Sequence, residues 1–78
     1  MRRFAIFYTE GREIKRAILA LVKGYSKQDN SYYYSFVNLT EDSILPERYV
    51  NVGAALKYLD RLEEAGIQYV DVTKKYIY

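Results

Sequence analysis

Apolar positions along the chain follow two different rhythms. From Arg3 to Thr9 they alternate, with Phe4, Ile6 and Tyr8 on one side and Ala5 and Phe7 on the other. Period two predicts a strand, and its two apolar faces predict cover on both sides or a central place in a sheet. Beyond it, Ile14, Ala17, Ile18, Leu21 and Tyr25 recur at helical spacing. This predicts a helix over about 11–25, capped by Thr9, with Glu10 and Glu13 at its positive end and Gly24 as its stop. Arg12, Lys15, Arg16 and Lys23 fall within one arc of that helix, opposite the apolar stripe. Leu19 lies among them and is expected to be exposed.

After a polar loop, Tyr32 to Leu39 is rich in aromatic and β-branched residues and reads as a strand. Residues 40–49 predict one short helical turn or an ordered loop, because Thr40-Glu41-Asp42 opens like a helix and Pro46 limits it. Asn51 caps a predicted helix to Ala65, with Val52, Ala55, Leu56, Leu59 and Leu62 as its stripe and Gly66 as its end. Ile67 to Val72 predicts a strand, Thr73 to Lys75 a turn, and Tyr76 to Tyr78 a short last strand. The expected fold is a two-layer α+β domain, strand-helix-strand-(short helix)-helix-strand-strand. Two main helices would pack on a small sheet.

The 78 residues make one domain, 1–78, of a size only marginally able to bury a core. Ten Tyr and three Phe supply large buried areas, and Cys is absent, so disulfides play no part. The apolar run behind Arg2 and Arg3 is too short for a signal peptide, and no stretch approaches the length of a membrane span. The expectation is a soluble cytoplasmic protein without a membrane partner. Residues 1–27 hold seven basic and two acidic residues, a net +5; residues 28–78 hold five and eight, a net −3. That split fits either an anionic partner or a solvated helix face.

Without His or Cys, the nucleophile–histidine arrangements and nearly every zinc site are excluded. Carboxylates alone could hold magnesium or calcium, but of the two adjacent acidic pairs, Glu41-Asp42 and Glu63-Glu64, the latter lies on a helix and does not converge, and no metal site is assigned. No Gly-rich phosphate loop exists, so no cofactor or catalytic residue is assigned. One enzymatic option stays open, a metal-independent ribonuclease using Arg, Lys, Tyr and Glu, although no motif gathers them. Tyr32, Tyr33, Tyr34 and Phe36 would either stack on unpaired bases or pack under a helix or against a second copy.

Within residues 44–78, Val50-Asn51 and Leu59-Asp60-Arg61-Leu62-Glu63-Glu64-Ala65-Gly66, followed by a strand, a basic turn and a strand, resemble the winged-helix family. That resemblance implies a recognition helix over 51–65, carrying Lys57, and a wing tipped by Lys74 and Lys75. At the level of fold, the expected order is also similar to the C-terminal domain of translation initiation factor three and to Alba-type chromatin proteins. Two functions follow as expectations. The first is a non-enzymatic nucleic-acid-binding or regulatory domain that uses the basic first helix. Its contacts would come from Arg12, Lys15, Arg16, Leu19, Lys23, Lys57, Lys74 and Lys75. The second is a protein–protein interaction module, such as a small inhibitor or accessory protein of a virus or mobile element. Apolar strand faces and surplus tyrosines also predict a homodimer.

Overall fold

A computed structural model describes residues 1–76, with side chains described through Lys74. Its main feature is one antiparallel sheet with a single helix laid across one face. Strands β1 (Arg2–Glu10), β2 (Glu13–Ser26), β3 (Ser31–Asn38) and β4 (Ser43–Ile44) form a meander. Helix α1 (Val52–Glu64) then crosses the sheet and delivers β5 (Gln68–Asp71) to the far edge, giving the order β4-β3-β2-β1-β5. A 3₁₀ turn, Thr73–Tyr76, follows.

The expected first helix does not form, and this overturns the two-helix architecture. Residues 13–26 are the central strand, paired with β1 on one side and β3 on the other. Gly11 is the reason the chain turns back at once. It takes φ +65 at the first central position of a two-residue hairpin closed by Glu10 opposite Glu13. Glycine reaches positive φ at no steric cost, and a glycine at that position is the mark of a type II′ hairpin. The register then makes use of the apolar run Ala17 to Val22. Ala17, Leu19 and Leu21 point to the helix side, and Ile18, Ala20 and Val22 to the other. A continuous run of this length suits a central strand as well as a helix segment.

Leu19 is therefore core, 1% exposed, where a position on the basic arc was expected. It packs with Phe4, Leu21, Phe36, Ala55 and Leu59. Phe4 meets Phe36 and Tyr69 edge-on, each at 6.3 Å between centroids, and Phe36 meets Tyr58 at 5.5 Å. Each such aromatic pair contributes about 0.5–1.5 kcal/mol beyond its buried area.

The helix over 51–65 forms as its pattern predicts. The Asn51 side-chain oxygen accepts from the Ala54 amide at 2.8 Å. At the other end Gly66 takes φ +91, and the Ile67 and Gly66 amides donate to Leu62 and Glu63 carbonyls. This pair of bonds is a Schellman stop. Residues 39–42 make a hairpin turn rather than a helical one: the Asn38 side chain accepts from the Thr40 and Glu41 amides, and Asp42 takes φ 55. The segment after β4 covers the edge of β3, with Leu45 donating to Phe36 and Tyr49 exchanging bonds with Tyr34. Where a wing turn was expected, Thr73–Tyr76 is 3₁₀. The strand expected at 76–78 falls, apart from Tyr76, outside the described residues.

Candidate functional site

The strand at 13–26 breaks up the basic arc expected of a helix. Strand neighbours point to opposite faces. Arg16 accordingly stands exposed on the helix-free face, opposite Phe7. Lys15 and Lys23 stand on the helix side, and Arg12 lies in the β1–β2 turn. Lys15 pairs with Glu10 at 3.4 Å, and Lys23 places its ammonium 4.4 Å from the centre of the Tyr32 ring. Lys57 is exposed on α1, far along the chain from Lys74, which is exposed in the 3₁₀ turn. The Lys75 side chain lies outside the described residues. The expected contact set is thus dispersed over both faces, a turn, a helix and the core.

Two surfaces replace it. The first is the face of the sheet opposite α1. Pairing register places Ala5 and Phe7 of β1, Ile14, Ile18, Ala20 and Val22 of β2, Val37 of β3, Ile44 of β4 and Val70 of β5 on it. Helix α1 packs on the other side of the sheet, whereas Ala5 and Ala20 at the centre of this face are buried and the 3₁₀ turn contacts β1. Ile14 and Ile44 are 79% and 75% exposed, while Phe7, Ile18, Val22 and Val37 are half-buried. Arg3 and Arg16 are its charged strand positions, and none of them is acidic. Isolated apolar residues on a surface are ordinary, but a contiguous apolar sheet face marks an interface.

The second surface is the end of the β2–β3 hairpin. β1 ends its pairing at Arg2 opposite Leu21, so β2 and β3 continue past it as a two-stranded arm from Val22 to Ser35. Of its three helix-side rings, Tyr34 packs toward the core, while Tyr25 and Tyr32 stand directly opposite each other, 47% and 62% exposed. They meet edge-on at 5.1 Å, and the Tyr25 hydroxyl is bonded to the Asn30 side chain. On the reverse of the arm, the Tyr33 ring lies over Gly24, with the Arg48 guanidinium 4.2 Å from its centre. The alternation of Tyr32, Tyr33 and Tyr34 signalled these rings in the sequence. Nothing in a helical reading of 11–25 could place Lys23 and Tyr25 beside them.

Perturbed ionisation lies outside both surfaces. Burial and a hydrogen bond to Glu47, 2.8 Å, push Tyr49 up to about 12. Burial and a bond to Asp60 raise Tyr69. The Thr73 hydroxyl and amide, with a smaller contribution from Arg2, hold Asp71 below the usual carboxylate range. Both tyrosine shifts favour the protonated phenol at neutral pH, which is a structural donor rather than a base. Among the described residues, no three Asp or Glu side chains gather as a metal site.

Comparison with known proteins found no family model that matches the chain, and no significantly similar curated protein or solved structure. No described helix is long and apolar enough to cross a membrane.

Proposed function

We propose that this chain is a protein-interaction module that associates with a second copy of itself through the helix-free face of its sheet. The observation behind this reading is the apolar surface made by Phe7, Ile18, Val22, Val37, Ile44 and Val70, of which Ile44 and Val70 are exposed. Sheets pack face to face about 10 Å apart, with interdigitating side chains of this β-branched type. A stable interface needs about 800 Å² from each partner. A five-stranded face with strands about 4.8 Å apart is of the right order for that area once side-chain relief is counted. Arg16 stands on this face opposite Phe7 and between Ile14 and Ile18, and its long stem can keep the guanidinium in water. Nucleic-acid binding by a basic first helix loses its support, because that helix does not exist.

Sedimentation equilibrium at micromolar concentration tests the reading. The expected result is a dimer that Ile44→Lys and Val70→Lys together convert to a monomer with an unchanged circular-dichroism spectrum. Both positions are exposed in the single chain, so neither substitution strains the fold. A monomer before substitution would remove the proposal.

A further inference from the structure

We propose that the β2–β3 arm, with the two grooves behind it, binds single-stranded nucleic acid by stacking a base on Tyr32 and carrying its backbone along Lys23, Arg2 and Lys74. This site opens on the helix side of the arm, meets the apolar sheet face only where Val22 lines its first groove, and does not depend on self-association there.

Tyr32 is the most exposed aromatic ring among the described residues, at 62%, and it is not alone. Tyr25 stands across from it at an interplanar angle of 63°, so the two rings form an open wedge rather than a closed stack. The bond between the Tyr25 hydroxyl and Asn30 fixes one wall of that wedge. A base lying flat on Tyr32 would meet the edge of Tyr25, the arrangement aromatic groups favour. Such stacking requires an unpaired base, which selects single strands over duplex.

Cations continue from the wedge along one end of the sheet. Lys23 already rests on Tyr32, on a flexible stem that lets its ammonium exchange the ring for a phosphate. Next to it is a groove of about 380 Å³, lined by Arg2, Leu21, Lys23, Tyr34 and Val52 among others. Arg2 also lines a second groove, of about 360 Å³, with Asp71, Thr73 and Lys74. Arg2 thus joins the two into one track with Lys23 at its start and Lys74 at its end. Asp71 is the acidic residue on this track, and it is already engaged by Arg2 at 3.2 Å. An acidic peptide would use the cations but leave the wedge of rings unfilled. A single strand uses both.

The test is fluorescence anisotropy with a short labelled oligo(dT), the matching duplex and a polyglutamate peptide of similar length. Oligo(dT) is expected to bind more tightly than the duplex. With Arg2 paired to Asp71 and about two phosphates neutralised, raising salt about fourfold should weaken it roughly 7-fold. Tyr32→Ala should weaken binding by about 5- to 150-fold, whereas Tyr32→Phe should leave it unchanged, since the ring and not the hydroxyl stacks. Lys23→Gln should make the salt dependence shallower by the share of one phosphate. Both positions are exposed, and a circular-dichroism melt confirms that the variants fold. No binding of oligo(dT) at low salt overturns the proposal, as does binding indifferent to Tyr32→Ala, or preference for polyglutamate over oligo(dT).

Discussion

Tyr33 lies across Gly24, its directly opposed partner, so closely that a Cβ on residue 24 would fall 2.4 Å from the ring's Cζ. The ring replaces the side chain that glycine lacks and shields a stretch of strand backbone, a device that offsets the weakness of glycine in sheets. The Arg48 guanidinium also lies over this ring, 4.2 Å from its centre.

This arrangement predicts a change of sign. In the native chain, Gly24→Ala must displace the end of the Tyr33 side chain and break its contact with Arg48. The loss, about 0.5–2 kcal/mol for ring packing and cation–π contact, outweighs the roughly 0.5–1 kcal/mol by which alanine improves a strand interior. In a Tyr33→Ala background the obstruction is gone, and the same Gly24→Ala substitution should stabilise. Urea denaturation of the two single variants and the double variant measures the coupling. Additive effects would show that the ring does not rest on residue 24.

At the start of α1, Asn51 is the cap and Gly53 lies just inside the helix. Asn51→Ala should cost about 1 kcal/mol by leaving the Ala54 amide without its acceptor. Gly53→Ala should act in the opposite direction, by up to about 1 kcal/mol, because a helix interior favours alanine. The added methyl would meet only the Asn51 side-chain oxygen, at 3.4 Å, an ordinary contact. Thermal melts of the two variants are expected to move to opposite sides of the parent.

The contrast between this helix and the missing one explains what the sequence conveyed. Residues 51–66 carry a cap, a stripe and a glycine stop that agree with one another, and the structure contains all three. Residues 13–26 carry two compatible patterns. Ile14, Ala17, Ile18, Leu21 and Tyr25 fit a helix, and the six apolar residues from Ala17 to Val22 fit a strand covered on both sides. Long-range pairing decides between them, since β1 and β3 satisfy the backbone of β2 from both edges. Local propensity is a weak prior against such tertiary context. Gly11 was the local clue: a glycine flanked by an alternating strand and an apolar run is a hairpin signal. Because 13–26 is a strand, the basic residues expected on one helix arc are dispersed. The tyrosines of β3 remained legible because alternation in a strand is unambiguous.

The start of β1 is tied to the chain after β5 through Asp71 and Thr73. The Thr73 hydroxyl oxygen accepts from the Arg3 amide at 3.0 Å, and its proton goes to the Asp71 carboxylate at 2.5 Å. The Thr73 amide donates to the same carboxylate oxygen at 3.0 Å, and Arg2 approaches the other oxygen at 3.2 Å. These donors favour the charged carboxylate, so the folded pKa of Asp71 lies below its unfolded value of 3.8. The contribution to stability is present above that value and is lost as pH falls through the lower, folded value. Thr73→Val should therefore flatten the dependence of melting temperature on pH below about 4, and an NMR titration of the Asp71 carboxyl should move toward the ordinary value. A general loss of stability at every pH, from the missing Arg3 contact, is expected as well. The change in slope separates the two effects.

The last prediction concerns the strand that the helical pattern concealed. In a helix with the expected arc, Ile18 belongs to the buried stripe and Leu19 to the exposed basic side, so polar substitution should be severe at 18 and mild at 19. The strand reverses that order. Leu19 is 1% exposed, at the centre of a cluster with Phe4, Phe36 and Leu59, whereas Ile18 is half-buried on the face without α1. Leu19→Ala should cost about 2–5 kcal/mol, from lost transfer free energy together with the cavity left among rigid neighbours. A domain of this length holds roughly 4–12 kcal/mol in all, so the variant should be near unfolding. Ile18→Ala removes a side chain that is only partly withdrawn from water in one copy, and should cost about 1–2 kcal/mol. If the face of Ile18 is closed by a second copy, that smaller cost will grow with protein concentration, because the methyls lost are then interfacial. Leu19→Ala will stay severe at every concentration. Denaturant titrations of both variants at two protein concentrations therefore test the period of β2 and the occupancy of its outer face, and equal costs at 18 and 19 would contradict the strand.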